Sequence, residues 1–173
     1  MIWVVDDGPL GRLARRFSAD WRWPAATLDV VESVASAAAK DKSGRTQKLL
    51  AMRAEIEPVV RVHSIGVGTP AADYLFSYLR MNPPNATVDF GEHESLAYCM
   101  AVDSSAVFVT EDKRAAFLAL AELGPARVAT PFDLWRSLFE RELISAEERQ
   151  QLDEELWRHA SLPGIPRRLK SVP

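Results

Sequence analysis

The sequence predicts a three-layer α/β/α protein, in which helices cover both faces of a central parallel β-sheet. Short apolar segments alternate along the chain with stretches of helical periodicity, and parallel strands need such helical crossovers between them. With 173 residues the chain has the length of one domain. Its 47% hydrophobic and 26% charged residues are ordinary for a globular protein and exclude disordered, collagen-like and transmembrane classes.

Strands are predicted where apolar runs end in turn residues or charges; they span residues 2–5, 59–65, 106–109 and 127–129. Helices are predicted from apolar residues at helical spacing; they span residues 10–17, 28–38, 46–57, 71–81, 92–102, 113–123, 132–141 and 146–159. Pro9 and Pro70 suit the first turns of helices, where no backbone N–H is needed. Gly124 ends the helix over 113–123, and residues 82–85 are predicted to form a loop.

One domain is expected over residues 1–160, followed by a basic, proline-containing tail over residues 161–173. The first residues lack the basic start and apolar stretch of a secretory signal, and the single cysteine, Cys99, allows no internal disulfide. Both observations favour a cytoplasmic protein. The formal charge of −3 gives no general attraction for nucleic acid, so a polyanionic partner needs a local basic patch or bound metal ions.

Acidic residues gather around the ends of two predicted strands; they are Asp6, Glu92, Glu94, Glu111 and Asp112. In an open α/β sheet, ligands bind at the carboxyl ends of the strands, so these carboxylates are expected to converge. Clustered carboxylates repel one another unless a divalent cation is bound, and oxygen ligands suit Mg²⁺ or Mn²⁺. Such ions activate water for phosphodiester hydrolysis.

Two of these residues also have a simpler structural interpretation. Asp6 and Asp112 each precede a predicted helix, and aspartate is a favoured capping residue because its side chain accepts hydrogen bonds from free N–H groups. Thr110 is an alternative cap for the helix after Asp112. Both interpretations, capping and metal ligation, remain open for Asp6 and Asp112.

Three adjacent polar residues, Glu92, His93 and Glu94, lie at the start of a predicted helix, and only one of them is expected to be a metal ligand. Glu92 and Glu94 lie about 200° apart on a helix, so only one is expected to be a ligand. Glu94 is preferred because it shares a face with small residues such as Ala97. His93 is interpreted as an isolated surface histidine, since no second histidine lies at ligand spacing, and Glu111 is likewise expected at the surface.

Three segments resemble motifs of the PIN-domain family. Residues 6–10 resemble its opening Asp-x-Gly/Ser-Pro-Leu, residues 91–97 its helix start Gly-Glu-x-Glu-Ala-x-Ala, and residues 109–115 its strand end Val-Thr-x-Asp-x-x-Ala. The eighteen-residue step from Glu94 to Asp112 matches the spacing of two acidic ligands in that fold. Segments 130–135 and 143–148 look like its terminal helices, so the resemblance covers most of residues 1–155.

The resemblance implies a PIN-like domain over residues 1–160 that acts as a metal-dependent endoribonuclease, as in the toxin half of VapC-type toxin–antitoxin pairs. It implies RNA as substrate, Mg²⁺ or Mn²⁺ as cofactor and an antitoxin protein as partner. Carried over to this sequence, the catalytic metal ligands are Asp6, Glu94 and Asp112, with Glu32 as the fourth acid. The step from Asp6 to Glu32 is shorter than the family's. Glu94 stands where many members have aspartate, and Lys113 follows Asp112 where some members add an acid.

Six basic residues near the start of the chain are the expected RNA contacts of such a nuclease; they are Arg12, Arg15, Arg16, Lys42, Arg45 and Lys48. A solvated helix face is the alternative interpretation of this run. Trp21 and Trp23 are expected to pack in the core or at a contact between two copies of the chain in a homodimer, with stacking on bases as a further possibility.

Two other functions compete with the nuclease. One is a catalytically degenerate PIN-like domain that serves as a binding or regulatory module. The other is a small-molecule-binding α/β domain without metal, which requires an apolar pocket at the strand ends. The acidic residues at those ends disfavour the small-molecule pocket.

Overall fold

The structure, a computed structural model, describes residues 2–81 and 90–159; the predicted loop over 82–85 and the predicted tail over 161–173 lie outside them. Its strands are β1 (Ile2–Val5), β2 (Leu28–Val31), β3 (Arg53–Ala54), β4 (Glu57–Pro58), β5 (Val60–His63), β6 (Ala106–Val109) and β7 (Val128–Ala129). Its helices are α1 (Asp7–Arg16), α2 (Glu32–Ala38), α3 (Arg45–Leu50), α4 (Pro70–Met81), α5 (Phe90–Ala101), α6 (Lys113–Leu123), α7 (Pro131–Glu140) and α8 (Ala146–His159).

Five strands form one parallel sheet in the order β5-β2-β1-β6-β7, and β3 pairs with β4 in a separate antiparallel hairpin. Helices α1, α3, α7 and α8 pack together on one side of this sheet, while α4, α5 and α6 pack together on the other. The predicted three-layer α/β/α class is therefore confirmed. In the described parts of the chain, no helix has both the length and the apolar character needed to cross a membrane.

The central strands are covered on both faces, as expected for a parallel sheet between helices. Every residue of β2 and of β6 is buried. Trp21 and Trp23 extend this core: they are 7% and 2% exposed, and their rings stack with centroids 4.6 Å apart. Core packing is thus the observed role of both tryptophans. The other predicted strands and helices are present, apart from two corrections, and α6 and α8 have the predicted bounds.

The first correction concerns the helix predicted over residues 28–38, whose beginning is wrong. Residues Leu28–Val31 form β2, and α2 begins only at Glu32. The prediction is wrong because of Asp29: a charged residue inside an apolar run is also compatible with the polar face of an amphipathic helix. In the fold it lies 1% exposed in the middle of β2, where Arg61 and His63 of β5 bind it.

The second correction concerns the helix predicted over residues 46–57, which ends early. Helix α3 stops at Leu50, and β3 and β4 follow as a short hairpin. Glu55 in its turn has a φ of 58°, a left-handed conformation that a right-handed helix cannot contain. Pro58 also removes a backbone N–H and restricts the residue before it, so the chain turns back instead of continuing the helix.

Candidate functional site

The carboxyl ends of β1 and β6 meet where the sheet changes its direction of winding. Strands β2 and β5 lie on one side of β1, and β6 and β7 lie on the other. Val5 pairs with Val109, so the next residues, Asp6 and Thr110, lie side by side at the ends of the two strands. Open α/β sheets bind ligands at such a switch point, which makes this edge the candidate site.

Asp6 is a buried carboxylate at this edge, 6% exposed. Its Oδ2 accepts a hydrogen bond of 2.7 Å from the Thr110 hydroxyl, and its Oδ1 accepts one of 2.9 Å from the Asp7 N–H at the start of α1. Within residues 2–81 and 90–159, no lysine, arginine or histidine forms an ion pair with it. Burial raises the pKa of Asp6 to about 6; the Thr110 hydrogen bond opposes this rise, and the charges of Asp7 and Asp112 add to it.

Asp112 is exposed and caps helix α6. Its Oδ1 accepts hydrogen bonds from the N–H groups of Arg114 at 2.6 Å and Ala115 at 3.0 Å. Its Oδ2 accepts no hydrogen bond from the part of the chain that the structure describes, so this oxygen remains open to a ligand. The charge of Asp112 acts on Asp6, which places the two carboxylates in the same electrostatic environment.

Thr110 connects the two carboxylates and is fully buried. Its hydroxyl donates to Asp6 and accepts a hydrogen bond of 3.0 Å from the Asp112 N–H. The alternative prediction that Thr110 caps α6 is therefore wrong, because Asp112 takes that position. The role of Thr110 follows from the pairing of β1 with β6, which becomes visible only when the two strands are placed side by side.

Glu94 lies on α5 and reaches the start of α2, which has no side-chain cap of its own at Val31. Its Oε2 accepts hydrogen bonds from the N–H of Ser33, at 3.1 Å, and from the Ser33 hydroxyl. Gly91 allows the two helices to approach, because a Cβ there would lie 2.9 Å from a Val34 methyl group. Glu94, which is 7% exposed, thus supplies from another helix the capping group that α2 lacks.

The structure brings together only part of the predicted ligand set. Asp6 and Asp112 flank the same strand ends, Glu94 is held at the start of α2, and Glu32 is the exposed first residue of that helix. Considering residues 2–81 and 90–159 alone, no group of three or more acidic, histidine or cysteine side chains is arranged to hold a metal ion. The geometry therefore contains an Asp6–Asp112 pair of carboxylates, with Glu94 separately anchored.

Two predicted surface residues are not at the surface. His93 is 7% exposed and packs against the ring of Tyr78, with centroids 5.0 Å apart. Glu111 is half-buried and forms an ion pair with Arg12 of helix α1 through two hydrogen bonds. Both expectations fail because the partner comes from a distant part of the chain, which sequence periodicity does not reveal.

The basic residues predicted to contact RNA divide into two groups. Arg12 is 4% exposed and bound to acidic side chains. Arg15 and Arg16 lie at the end of α1, roughly 14 Å along the helix axis from Asp6 at 1.5 Å per residue, and Arg45 donates to the Arg15 carbonyl at 2.7 Å. Lys42 and Lys48 are exposed. The exposed basic residues thus surround the far end of α1 rather than the strand ends.

Two grooves near α8 also lie away from the acidic edge. One of about 700 Å³ is lined by residues that include Trp21, Phe139 and Ile144. Another of about 590 Å³ shares Trp21 and Glu148 with it and extends to Arg16 and Gln151. Helices α1 and α7 start at the carboxyl ends of β1 and β7 and end beside these grooves. The grooves are therefore at the opposite edge of the sheet from Asp6.

The fold and site define a three-layer α/β/α protein with a buried carboxylate at the switch point of its parallel sheet. Comparison with protein-family models, with curated proteins and with solved structures finds no match to this chain. Its likeness to the PIN-domain family thus consists of the sequence motifs and the spacing of their acidic residues.

Proposed function

We propose that the protein is a divalent-cation-dependent endoribonuclease that hydrolyses phosphodiester bonds at the ends of β1 and β6. The observation that carries the proposal is Asp6, a buried carboxylate at the switch point that no cationic side chain of the described chain neutralises. A buried anion is costly unless a cation compensates it. The proposal that the substrate is RNA rests on the sequence motifs that resemble those of PIN domains.

The donor set at this edge fits Mg²⁺ or Mn²⁺. Mg²⁺ keeps several waters and is often bound by only one or two carboxylates together with substrate phosphates, so Asp6 and Asp112 suffice as protein ligands. Each oxygen of Asp6 accepts one hydrogen bond and retains a lone pair. Oδ2 of Asp112 and Oε1 of Glu94 accept no hydrogen bond within the described residues. Asp6 and Asp112 would hold the ion; within the described residues, neither Glu94 nor Glu32 joins them in a group arranged for a metal.

The residues of this chain have distinct tasks in the proposed reaction. The Thr110 hydroxyl orients the Asp6 carboxylate by donating to Oδ2. Asp6, Glu94 and Asp112 accept hydrogen bonds from backbone N–H groups at the starts of α1, α2 and α6, so the partial positive charge of these helix ends stabilises the carboxylates at this edge. The bound ion supplies an activated water and charge neutralisation at the phosphate.

A specific observation favours a second candidate, a PIN-like module without catalysis. Asp6, Asp112 and Glu94 all serve as helix caps, and capping alone accounts for an acidic residue at any of these positions. In such a module Asp6 would be a buried acid without a metal-binding role. The two candidates differ in whether the protein responds to Mn²⁺.

The first test is thermal unfolding of the protein with increasing Mn²⁺ at pH 7.5. An ion bound only by the folded state stabilises it by about 2.7 kcal/mol at 100 times its Kd, which corresponds to roughly 5–10 °C in Tm for a chain of this length. Asp6→Asn should abolish this shift and reduce cleavage of a fluorogenic RNA oligonucleotide more than about 100-fold, beyond the effect typical of outer-shell partners. Asp112→Asn should act in the same direction.

The matched control is Asp73→Asn, which removes an exposed first-turn acid of α4 and should leave both readouts unchanged. A DNA oligonucleotide of the same sequence tests the RNA assignment, and EDTA tests the need for metal. If the Tm of the unaltered protein does not change when Mn²⁺ is added, the result supports the non-catalytic module. Full, EDTA-sensitive cleavage by Asp6→Asn would place the nuclease centre elsewhere.

A further inference from the structure

The turn that carries Thr110 and Asp112 is fixed to helix α1 by an ion pair between Glu111 and Arg12. Arg12 Nε lies 2.6 Å from Glu111 Oε2, and Arg12 Nη2 lies 2.9 Å from Glu111 Oε1. Such a two-point contact fixes both distance and orientation. The side chains are 5% and 22% exposed, so solvent screens the contact little.

Glu111 stands between the two residues that organise the candidate site. The preceding residue, Thr110, donates to Asp6, and the following residue, Asp112, supplies the open carboxylate oxygen. Because peptide units are rigid, a displacement of Glu111 moves both neighbours. Holding Glu111 against α1 therefore holds Thr110 and Asp112 against Asp6, the residue that precedes α1.

Gly8 provides the space that this contact requires. A Cβ at Gly8 would lie 2.8 Å from Cδ and 2.9 Å from Cγ of Glu111, closer than real Cβ atoms approach. The Glu111 side chain thus crosses the first turn of α1 directly over the glycine backbone. The same glycine belongs to the Asp6–Leu10 motif, where its role is this close approach.

Helix α8 holds the other side of Arg12. Glu155 Oε1 lies 3.3 Å from Arg12 Nη1, and Glu155 also accepts a hydrogen bond of 2.8 Å from Arg15 Nε. Arg12 therefore has Nε and Nη2 on Glu111 and Nη1 on Glu155, an arrangement that fixes the guanidinium between the turn and α8. Its donors are committed to these carboxylates, which disfavours the predicted role of Arg12 as an RNA contact.

We propose that the Arg12–Glu111 ion pair, backed by Glu155, positions the Asp6 and Asp112 carboxylates for a divalent cation. The inference deepens the proposed function and rests on it, because it assigns Arg12 and Glu111 as positioning residues of the same site. Neither side chain is a ligand. Both act through Thr110 and Asp112.

The test compares three variants of the full chain by their Mn²⁺ affinity and by amide hydrogen exchange at Asp112. Arg12→Met combined with Glu111→Met removes both charges, so no unpaired charge stays buried and folding is retained. We expect the Mn²⁺ Kd to rise about 10- to 100-fold, as when outer-shell partners of metal ligands are lost, and exchange of the Asp112 N–H to accelerate. Arg12→Lys keeps the charge but not the two-point contact and should be intermediate.

The control is Arg158→Gln combined with Glu154→Gln, which removes an exposed ion pair within α8 and should change neither readout. Urea midpoints and exchange of the Val30 amide in the buried strand β2 separate local from global effects. Unchanged Mn²⁺ affinity, or unchanged Asp112 exchange, overturns the positioning role. If the unaltered chain binds no Mn²⁺, the proposed function fails, and exchange at Asp112 then decides whether the ion pair holds the turn.

Discussion

Asp6 and Asp29 are two buried aspartates of the same sheet, yet their surroundings shift their pKa values in opposite directions. They are 6% and 1% exposed. Burial raises the pKa of Asp6 to about 6. Burial acts on Asp29 in the same sense, but hydrogen bonds from His63 and Arg61 outweigh it and lower the pKa of Asp29. The difference lies in the hydrogen-bond partners, Arg61 and His63, and not in the degree of burial.

The comparison separates two uses of a buried carboxylate. Arg61 binds Asp29 through two hydrogen bonds of 2.7 and 3.0 Å, so the charge of Asp29 is compensated within the protein and joins β2 to β5. Among the described residues, no cationic side chain compensates the charge of Asp6, which is the condition that favours an external cation. Glu94, like Asp6, accepts its hydrogen bonds from a backbone N–H at the start of a helix and from a hydroxyl.

The largest expected effect comes from breaking the compensated site with Asp29→Asn. The substitution should lower the free energy of unfolding by about 2–4 kcal/mol at pH 7, because it removes two charge-assisted hydrogen bonds while the remaining charge, Arg61, is 39% exposed to solvent. Because the folded-state pKa of Asp29 is lowered, its contribution is present above the ordinary value of 3.8 and is lost as the pH falls below it. Urea unfolding at pH 7 and pH 3 should therefore show a smaller difference at pH 3.

Asp20→Asn, at an exposed aspartate, is the control for the Asp29 substitution and should change the urea midpoint little. An equal loss at pH 3 and pH 7 would mean that packing, and not charge, makes Asp29 important.

The corresponding substitution at the other buried aspartate, Asp6→Asn, should increase the stability of the metal-free protein instead of decreasing it. The folded-state pKa of about 6 exceeds the ordinary value of 3.8, so the folded state binds more protons than the unfolded state between these values. The stability of the metal-free protein therefore decreases as the pH rises from about 4 to about 6. Asparagine removes this slope while remaining a good helix cap.

Unfolding in EDTA should show Asp6→Asn more stable than the unaltered protein by about 2–3 kcal/mol at pH 7.5, since one pKa unit corresponds to about 1.4 kcal/mol. The two curves should meet near pH 4. A destabilised Asp6→Asn at pH 7.5 would show that the charge of Asp6 is compensated inside the protein and would remove the contrast with Asp29.

The smallest effect is expected from Glu94→Gln. Glutamine can still accept the hydrogen bonds of Ser33, but it loses the attraction between a negative charge and the start of α2, worth about 1 kcal/mol or less. Chemical unfolding should show a decrease of that size, against no change for Glu140→Gln at an exposed position. A loss above about 3 kcal/mol would put Glu94 in the class of Asp29.

Local signals explain which parts of the fold are predictable from the sequence. Helix α6 is framed by Asp112 as its cap and by Gly124, whose φ is 77° at its end, and both signals lie within the segment itself. Strand β2 is missed because its charged residue depends on Arg61, 32 residues away. The prediction of secondary structure is wrong where the environment of a residue depends on a partner that is far away in the sequence.

The candidate site shows the same limit. Asp6 and Asp112 are identifiable because Asp6 directly follows an apolar strand and Asp112 comes three residues after the end of another. The bond from Thr110 to Asp6 spans 104 residues, the ion pair of Arg12 with Glu111 spans 99, and the contact of Glu94 with Ser33 spans 61. These contacts decide which carboxylates are compensated, and they exist only after the strands and helices have been assembled.

The central position of β1 has a consequence for the synthesis of the protein. Ile2 of β1 pairs with Ala106 of β6, so one edge of the first strand lacks its neighbour until more than one hundred further residues have been added. At ribosomal rates of about 5–20 residues per second, this interval lasts roughly 5–20 seconds. During that time β1 lacks one of its two neighbours in the sheet, and an unpaired apolar strand edge is a template for pairing with other chains.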